Sequence, residues 1–133
     1  MKPVKVAMIG VGAISGIYLE NITNTFREVE LCGVCDLIPE RAQKGLEYVK
    51  AEQEKGAPVV TPKIYADMFE AFEDPEVEVI LNLTRPYEHY EVTKQALLHG
   101  KHVFSENPLA VDMQEADELM ELAAKKGLRM GGA

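Results

Sequence analysis

Gly10 and Gly12, with Ser15 and Gly16 close behind, stand directly after the alternating apolar run Val4-Lys5-Val6-Ala7-Met8-Ile9. Glycines at this spacing remove the side chains that would hold a ligand off the backbone. Main-chain amides and the first turn of a following helix can then face a pyrophosphate. The first glycine permits a tight turn, the second lets phosphate approach, and a small residue such as Ser15 lets helix lie close to strand. A plain tight turn is the other reading of the same residues. Asp36 closes the next apolar segment. A carboxylate there can accept hydrogen bonds from the hydroxyls of an adenosine ribose and would repel a 2′-phosphate. That favours NAD(H) as cofactor, while Arg41 nearby keeps NADP(H) open. Ahead of Pro39, Asp36 could also serve as an ordinary helix-capping residue.

Cys32-Gly33-Val34-Cys35 spells the C-x-x-C of redox pairs and half zinc sites. The segment reads as a strand, where residues three apart are expected on opposite faces. No second Cys or Cys/His pair completes a metal site. Two buried thiols acting as small apolar side chains are expected, and no metal.

These residues need elements to position them, and the chain alternates strand and helix from end to end. Strands are expected over Val4–Ile9, Glu30–Asp36 and Val77–Leu83, and again over His102–Ser105. A short strand is expected within Ala57–Lys63 and an edge strand within Leu128–Met130. Helices are expected over Ala13–Phe26, from Pro39 to about Lys55, and over Ala66–Phe72 and Tyr87–His99. A last helix follows Asp112 and Glu115, which have capping-box spacing, and carries an apolar stripe of Ala116, Leu119, Met120, Ala123 and Ala124. Such alternation implies an α/β, doubly wound parallel sheet of Rossmann type, three layers thick and in a single domain.

Composition agrees. The 133 residues are 47% hydrophobic and 27% charged, ordinary values for a soluble domain. The net charge of −8 and the lack of a basic stripe argue against a nucleic-acid surface. No apolar stretch approaches the roughly 20 residues that cross a bilayer, and the chain enters its first strand without a secretory signal. A cytoplasmic protein with no membrane partner is expected.

Two later segments are more distinctive. Val77-Glu78-Val79-Ile80-Leu81-Asn82-Leu83-Thr84-Arg85-Pro86 with His89 resembles the fourth-strand region of the glucose–fructose oxidoreductase and inositol dehydrogenase (Gfo/Idh/MocA) family. Gly100-Lys101-His102-Val103-Phe104-Ser105-Glu106-Asn107-Pro108-Leu109-Ala110 resembles its Gly-Lys-His-Val…Glu-Lys-Pro signature, and Tyr65-Ala66-Asp67 its segment before a short helix. The resemblance implies a nucleotide-binding domain in which Gly10 and Gly12, Ala13 and Ile14 hold the pyrophosphate and Asp36 the adenosine ribose. Thr84, Arg85 and Pro86 would lie along the nicotinamide half, His89 at the cleft, and Glu106 against the nicotinamide ribose. For His89 a local structural role at a helix N-terminus stays open.

The chain departs from the family in two ways. Asn107 stands where the family has lysine, and an amide supplies neither positive charge nor a proton at neutral pH. Family members also continue into a second α/β domain that supplies the substrate pocket and oligomer interface. The expectation is therefore a cofactor-binding domain of an oxidoreductase that passes hydride between nicotinamide and a sugar, polyol or related hydroxy compound. Alone it would bind cofactor, lack a complete active site and be inactive, and the full-length protein would be a homo-oligomer. The alternative is a non-catalytic NAD(P)-binding sensor or regulatory module.

Overall fold

Strand β1 (Val4–Ile9) is buried on both faces from Val6 to Ile9 and lies at the centre of the sheet. The computed structural model describes residues 3–11, 29–57, 60–84, 86–105 and 113–132. After β1 come β2 (Val29–Cys35), α1 (Pro39–Glu54), β3 (Lys63–Ile64), α2 (Met68–Glu73) and β4 (Val79–Asn82). Then follow α3 (Pro86–Leu98), β5 (His102–Ser105), α4 (Met113–Lys126) and β6 (Met130–Gly132). The six strands form one sheet in the order β3-β2-β1-β4-β5-β6, and every pairing is parallel.

Two cores follow from the alternation of side chains along the strands. Ala7, Ile9, Ile80 and Val103 face Ala71 and Phe72 of α2, Val92, Ala96 and Leu97 of α3, and Leu119 and Ala123 of α4. Val6, Met8, Leu31, Val34 and Leu81 face Ala42 and Val49 of α1. Helices thus cover both faces, as crossovers between parallel strands require. This is the doubly wound, three-layered α/β sheet expected.

Several boundaries differ in detail. β3 and β6 are two and three residues long and lie later than expected. α2 starts at Met68 because Asp67 caps it, its side chain accepting the Glu70 N–H at 2.9 Å. On α4 the buried stripe is narrower than expected. Leu119 and Ala123 are buried and Leu122 packs beside them, while Met120 and Ala124 are exposed. The expected helix over Ala13–Phe26 and the Asp112 cap lie outside the described residues.

The cysteines require a correction. In the β1–β2 ladder Val6 pairs with Leu31 but Ala7 with Gly33, so Cys32 is an extra residue, a β-bulge. The bulge breaks the alternation, and Cys32 and Cys35 lie in the same buried cluster rather than on opposite faces. Both thiols are free. Burial pushes each up to about 11, helped by the charge of Glu30 for Cys32 and of Asp67 for Cys35. They are inert apolar fillers, and no group of residues suited to a metal occurs among the described residues.

Candidate functional site

The glycine turn leaves β1 between two neighbours that diverge. β2 lies on one side of β1 and β4 on the other, and the chain winds away from β1 in both directions. A crevice opens at the carboxyl ends of the strands at such a switch point. Gly10 takes φ +92°, and its N–H donates to the Cys35 carbonyl at 2.8 Å. A Cβ there would lie 2.8 Å from the Leu83 carbonyl carbon and oxygen and 3.0 Å from the Thr84 nitrogen. Only glycine lets the turns after β1 and β4 come this close.

Asp36 follows β2 directly. Its carboxylate accepts the Val11 N–H at 2.7 Å and the Ile38 N–H at 2.8 Å, one on each oxygen. It therefore ties the glycine turn to the start of α1. It is not the helix cap: the N-cap of α1 is Ile38, with no side-chain cap, and Pro39 opens the helix. A carboxylate has about four lone-pair positions, so both oxygens can accept further hydrogen bonds. Arg41 is exposed on the first turn of α1.

The end of β4 is organised by Asn82, which belongs to no motif of the glycine turn or its carboxylate. Its amide is fully buried, and its Nδ2 donates to the His89 carbonyl at 3.1 Å and to Thr93 Oγ1 at 2.9 Å. Its Oδ1 accepts from Thr84 N at 3.2 Å and from Thr84 Oγ1 at 2.6 Å. One side chain thus binds the strand end, the following turn and α3. The signal was a lone amide in the apolar run Val79-Ile80-Leu81-Asn82-Leu83, on the side chain alternation that carries Ile80 into the core.

His89 lies in the first half of α3 with 1% of its surface exposed, and Pro86 opens that helix. Ser105, paired with Asn82 across the β4–β5 ladder, ends β5. Gly12, Ala13, Ile14, Arg85, Glu106 and Asn107 lie outside the described residues. The structure therefore brings together Gly10, Asp36 and Thr84 at the carboxyl ends of three adjacent strands. His99 and His102 have structural roles: the His99 ring stacks near Phe69 and Phe72, and His102 Nδ1 accepts the Arg129 N–H at 2.9 Å.

Lys101 was also missed, although it belongs to the Gly100–Ala110 signature. It is buried, and its ammonium donates to the carbonyls of Asp74 at 2.8 Å and Val77 at 2.7 Å, fastening the turn that feeds β4. Burial lowers its pKa below the ordinary lysine value, against the opposing pull of Asp74.

A parallel sheet in this order, with a glycine turn and a carboxylate at its switch point, defines a Rossmann-type domain of the class that binds dinucleotides. The chain belongs to the Gfo/Idh/MocA oxidoreductase family with its NAD-binding Rossmann fold, which residues 4–132 match. It is 34% identical over 126 residues to an inositol 2-dehydrogenase/D-chiro-inositol 3-dehydrogenase of Lactiplantibacillus plantarum, covering 95% of this chain and 33% of that protein. It is 32% identical to an inositol 2-dehydrogenase of Salmonella typhimurium, covering 95% of this chain and 35% of the relative. Among solved structures, GenD2 from gentamicin A biosynthesis in complex with NAD superposes with a TM-score of 0.87 at 20% identity, over 100% of this chain and 35% of that one. Biliverdin reductase from Synechocystis, in complex with biliverdin and NADP+, gives 0.83 at 23%, over 98% and 38%. At these identities the likeness is one of fold. The chain spans about a third of the length of the curated relatives it matches. It is an NAD(P)-binding oxidoreductase domain related to inositol dehydrogenases, and no helix among its described residues is long and apolar enough to cross a membrane.

Proposed function

We propose that this domain binds NAD(H) in preference to NADP(H), as the cofactor-holding part of a dehydrogenase acting on a polyol or sugar hydroxyl. One observation carries the preference: Asp36 sits at the end of β2 with both carboxylate oxygens able to accept further hydrogen bonds, beside the turn it holds. Those oxygens suit the two hydroxyls of an adenosine ribose and oppose a 2′-phosphate. The residues present fit the cofactor. The bare Gly10 turn suits a pyrophosphate, which Gly12, Ala13 and Ile14 would also hold, and Thr84, Arg85 and Pro86 would meet the other half. Glu106 would meet the nicotinamide ribose. When bound, the nicotinamide supplies the hydride acceptor and donor. His89 would form part of the wall behind the reacting end.

The polyol class is supported by the names of the relatives, which are inositol dehydrogenases. The substrate pocket and any homo-oligomer belong to the whole protein, so this chain alone is proposed to bind cofactor without turnover. Asn107 favours a second reading, a non-catalytic NAD(H)-responsive module, since an amide cannot act as the proton donor.

Fluorescence titration of the 133-residue chain with NADH and NADPH tests the binding claim; no binding of either at millimolar concentration overturns it. Asp36→Ala should narrow the preference for NADH over NADPH about tenfold or more, and an unchanged ratio removes Asp36 from the role. Polyol oxidation by the whole gene product, with Asn107 and with Asn107→Lys, separates the dehydrogenase from the sensor.

A further inference from the structure

The network around Asn82 determines the direction of one hydroxyl. The His89 carbonyl can only accept and the Thr84 N–H can only donate, so Nδ2 of Asn82 must face the first and Oδ1 the second. Thr84 Oγ1 lies 2.6 Å from that same Oδ1, which carries no hydrogen. The Thr84 hydroxyl must therefore donate its proton to Asn82. Its remaining capacity is acceptance only, and Thr84 is half-buried at the mouth of the switch point.

The surroundings say what such an acceptor meets. Thr84 N is 3.0 Å from the position of a Cβ on Gly10, so the residue borders the glycine turn. β4 flanks β1 on the side opposite β2 and Asp36. A dinucleotide whose adenosine half lies at Asp36 and whose pyrophosphate crosses the turn must bring its other half to β4. An acceptor repels phosphate oxygens and attracts the next donors along the ligand.

We propose that Asn82 is a positioning residue that commits the Thr84 hydroxyl to accept a hydrogen bond from the nicotinamide-side half of the dinucleotide, from a ribose hydroxyl or the carboxamide N–H. The proposal rests on the cofactor reading above and extends it to this strand end.

The test measures affinities of the 133-residue chain for NADH by fluorescence and for ADP-ribose and ADP by competition. ADP lacks every group that Thr84 is proposed to meet. Thr84→Val should weaken NADH about tenfold and leave ADP within about twofold, with Thr84→Ser restoring wild-type affinity. A loss shared by ADP-ribose assigns the ribose hydroxyl, and a loss confined to NADH assigns the carboxamide; both support the proposal. Asn82→Ser should lower the NADH-to-ADP affinity ratio by a similar factor, and Asn82→Ser with Thr84→Val should add nothing further. If Asn82→Ser does not fold, the Val and Ser variants at position 84 decide. A wild-type chain that binds NADH, with a ratio unchanged in Thr84→Val or with additive losses in the double variant, overturns the proposal alone. A wild-type chain that binds ADP but no NADH overturns the cofactor reading along with it.

Discussion

Gly10 combines two demands that no other residue meets: a positive φ and backbone from a neighbouring strand within contact distance. Gly10→Ala should cost at least about 2 kcal/mol, since the strained backbone alone costs about 1–3 and the Leu83 carbonyl cannot retreat without loosening β4. Urea denaturation followed by circular dichroism checks this. Asp74 offers a pH-dependent case. Burial works to raise its pKa, but the Glu76 N–H, the Tyr65 hydroxyl and the Lys63 ammonium outweigh that and hold the carboxyl below its usual 3.8. A carboxylate depressed in the folded state stabilises above its unfolded pKa and loses that contribution as pH falls through the folded value. Asp74→Asn should therefore be less stable by about 1–2 kcal/mol at neutral pH, with the gap closing below about pH 4. Urea midpoints across that range test it.

At the scale of elements, Gly33 beside the β2 bulge admits Tyr65, and burial of both cysteines in one cluster keeps the thiols silent. A Cβ on Gly33 would collide with the Tyr65 ring and lie 2.8 Å from the Lys63 carbonyl oxygen, so glycine at this point lets β3 and the tyrosine that follows it close over β2. With both thiols buried and protonated, the folded chain at about pH 8 should leave Ellman's reagent unreacted over the time in which the urea-unfolded chain reacts at both cysteines. β1 and β5 were readable to the residue because their apolar runs are bounded by turn residues and buried from both sides. β3 and β6 were misplaced because edge pairings of two or three residues are chosen by the neighbouring strand, not by their own pattern. The bulge was invisible for the same reason: it exists only in the register between β1 and β2. Glycine and aspartate point to the candidate site by type and spacing, whereas Asn82 shows in the sequence only as a lone amide in an apolar run and Lys101 only as part of a signature, because the partners of both are fixed by the fold.

For the whole molecule, ligand binding and folding are linked. A ligand held only by the folded chain adds about 2.7 kcal/mol at a hundredfold excess over its Kd. For a domain of this size that corresponds to a rise in Tm of roughly 10 °C. Calorimetry with NADH at that excess should show it, and equal melting with and without NADH contradicts the proposed binding. The overall charge of −8 gives such an anionic ligand no long-range attraction. Its affinity must come from close donors at the strand ends.

The strand order has a further result for how the domain comes into being. A ribosome delivers β1 first, yet β1 stays one-sided until residues 79–82 have emerged to pair with it. From the emergence of β1 to that of β4, the nascent chain must therefore carry a half-covered hydrophobic ribbon. The niche beside Gly10 cannot close before then, because its wall includes the Leu83 N–H bonded to the Ile9 carbonyl.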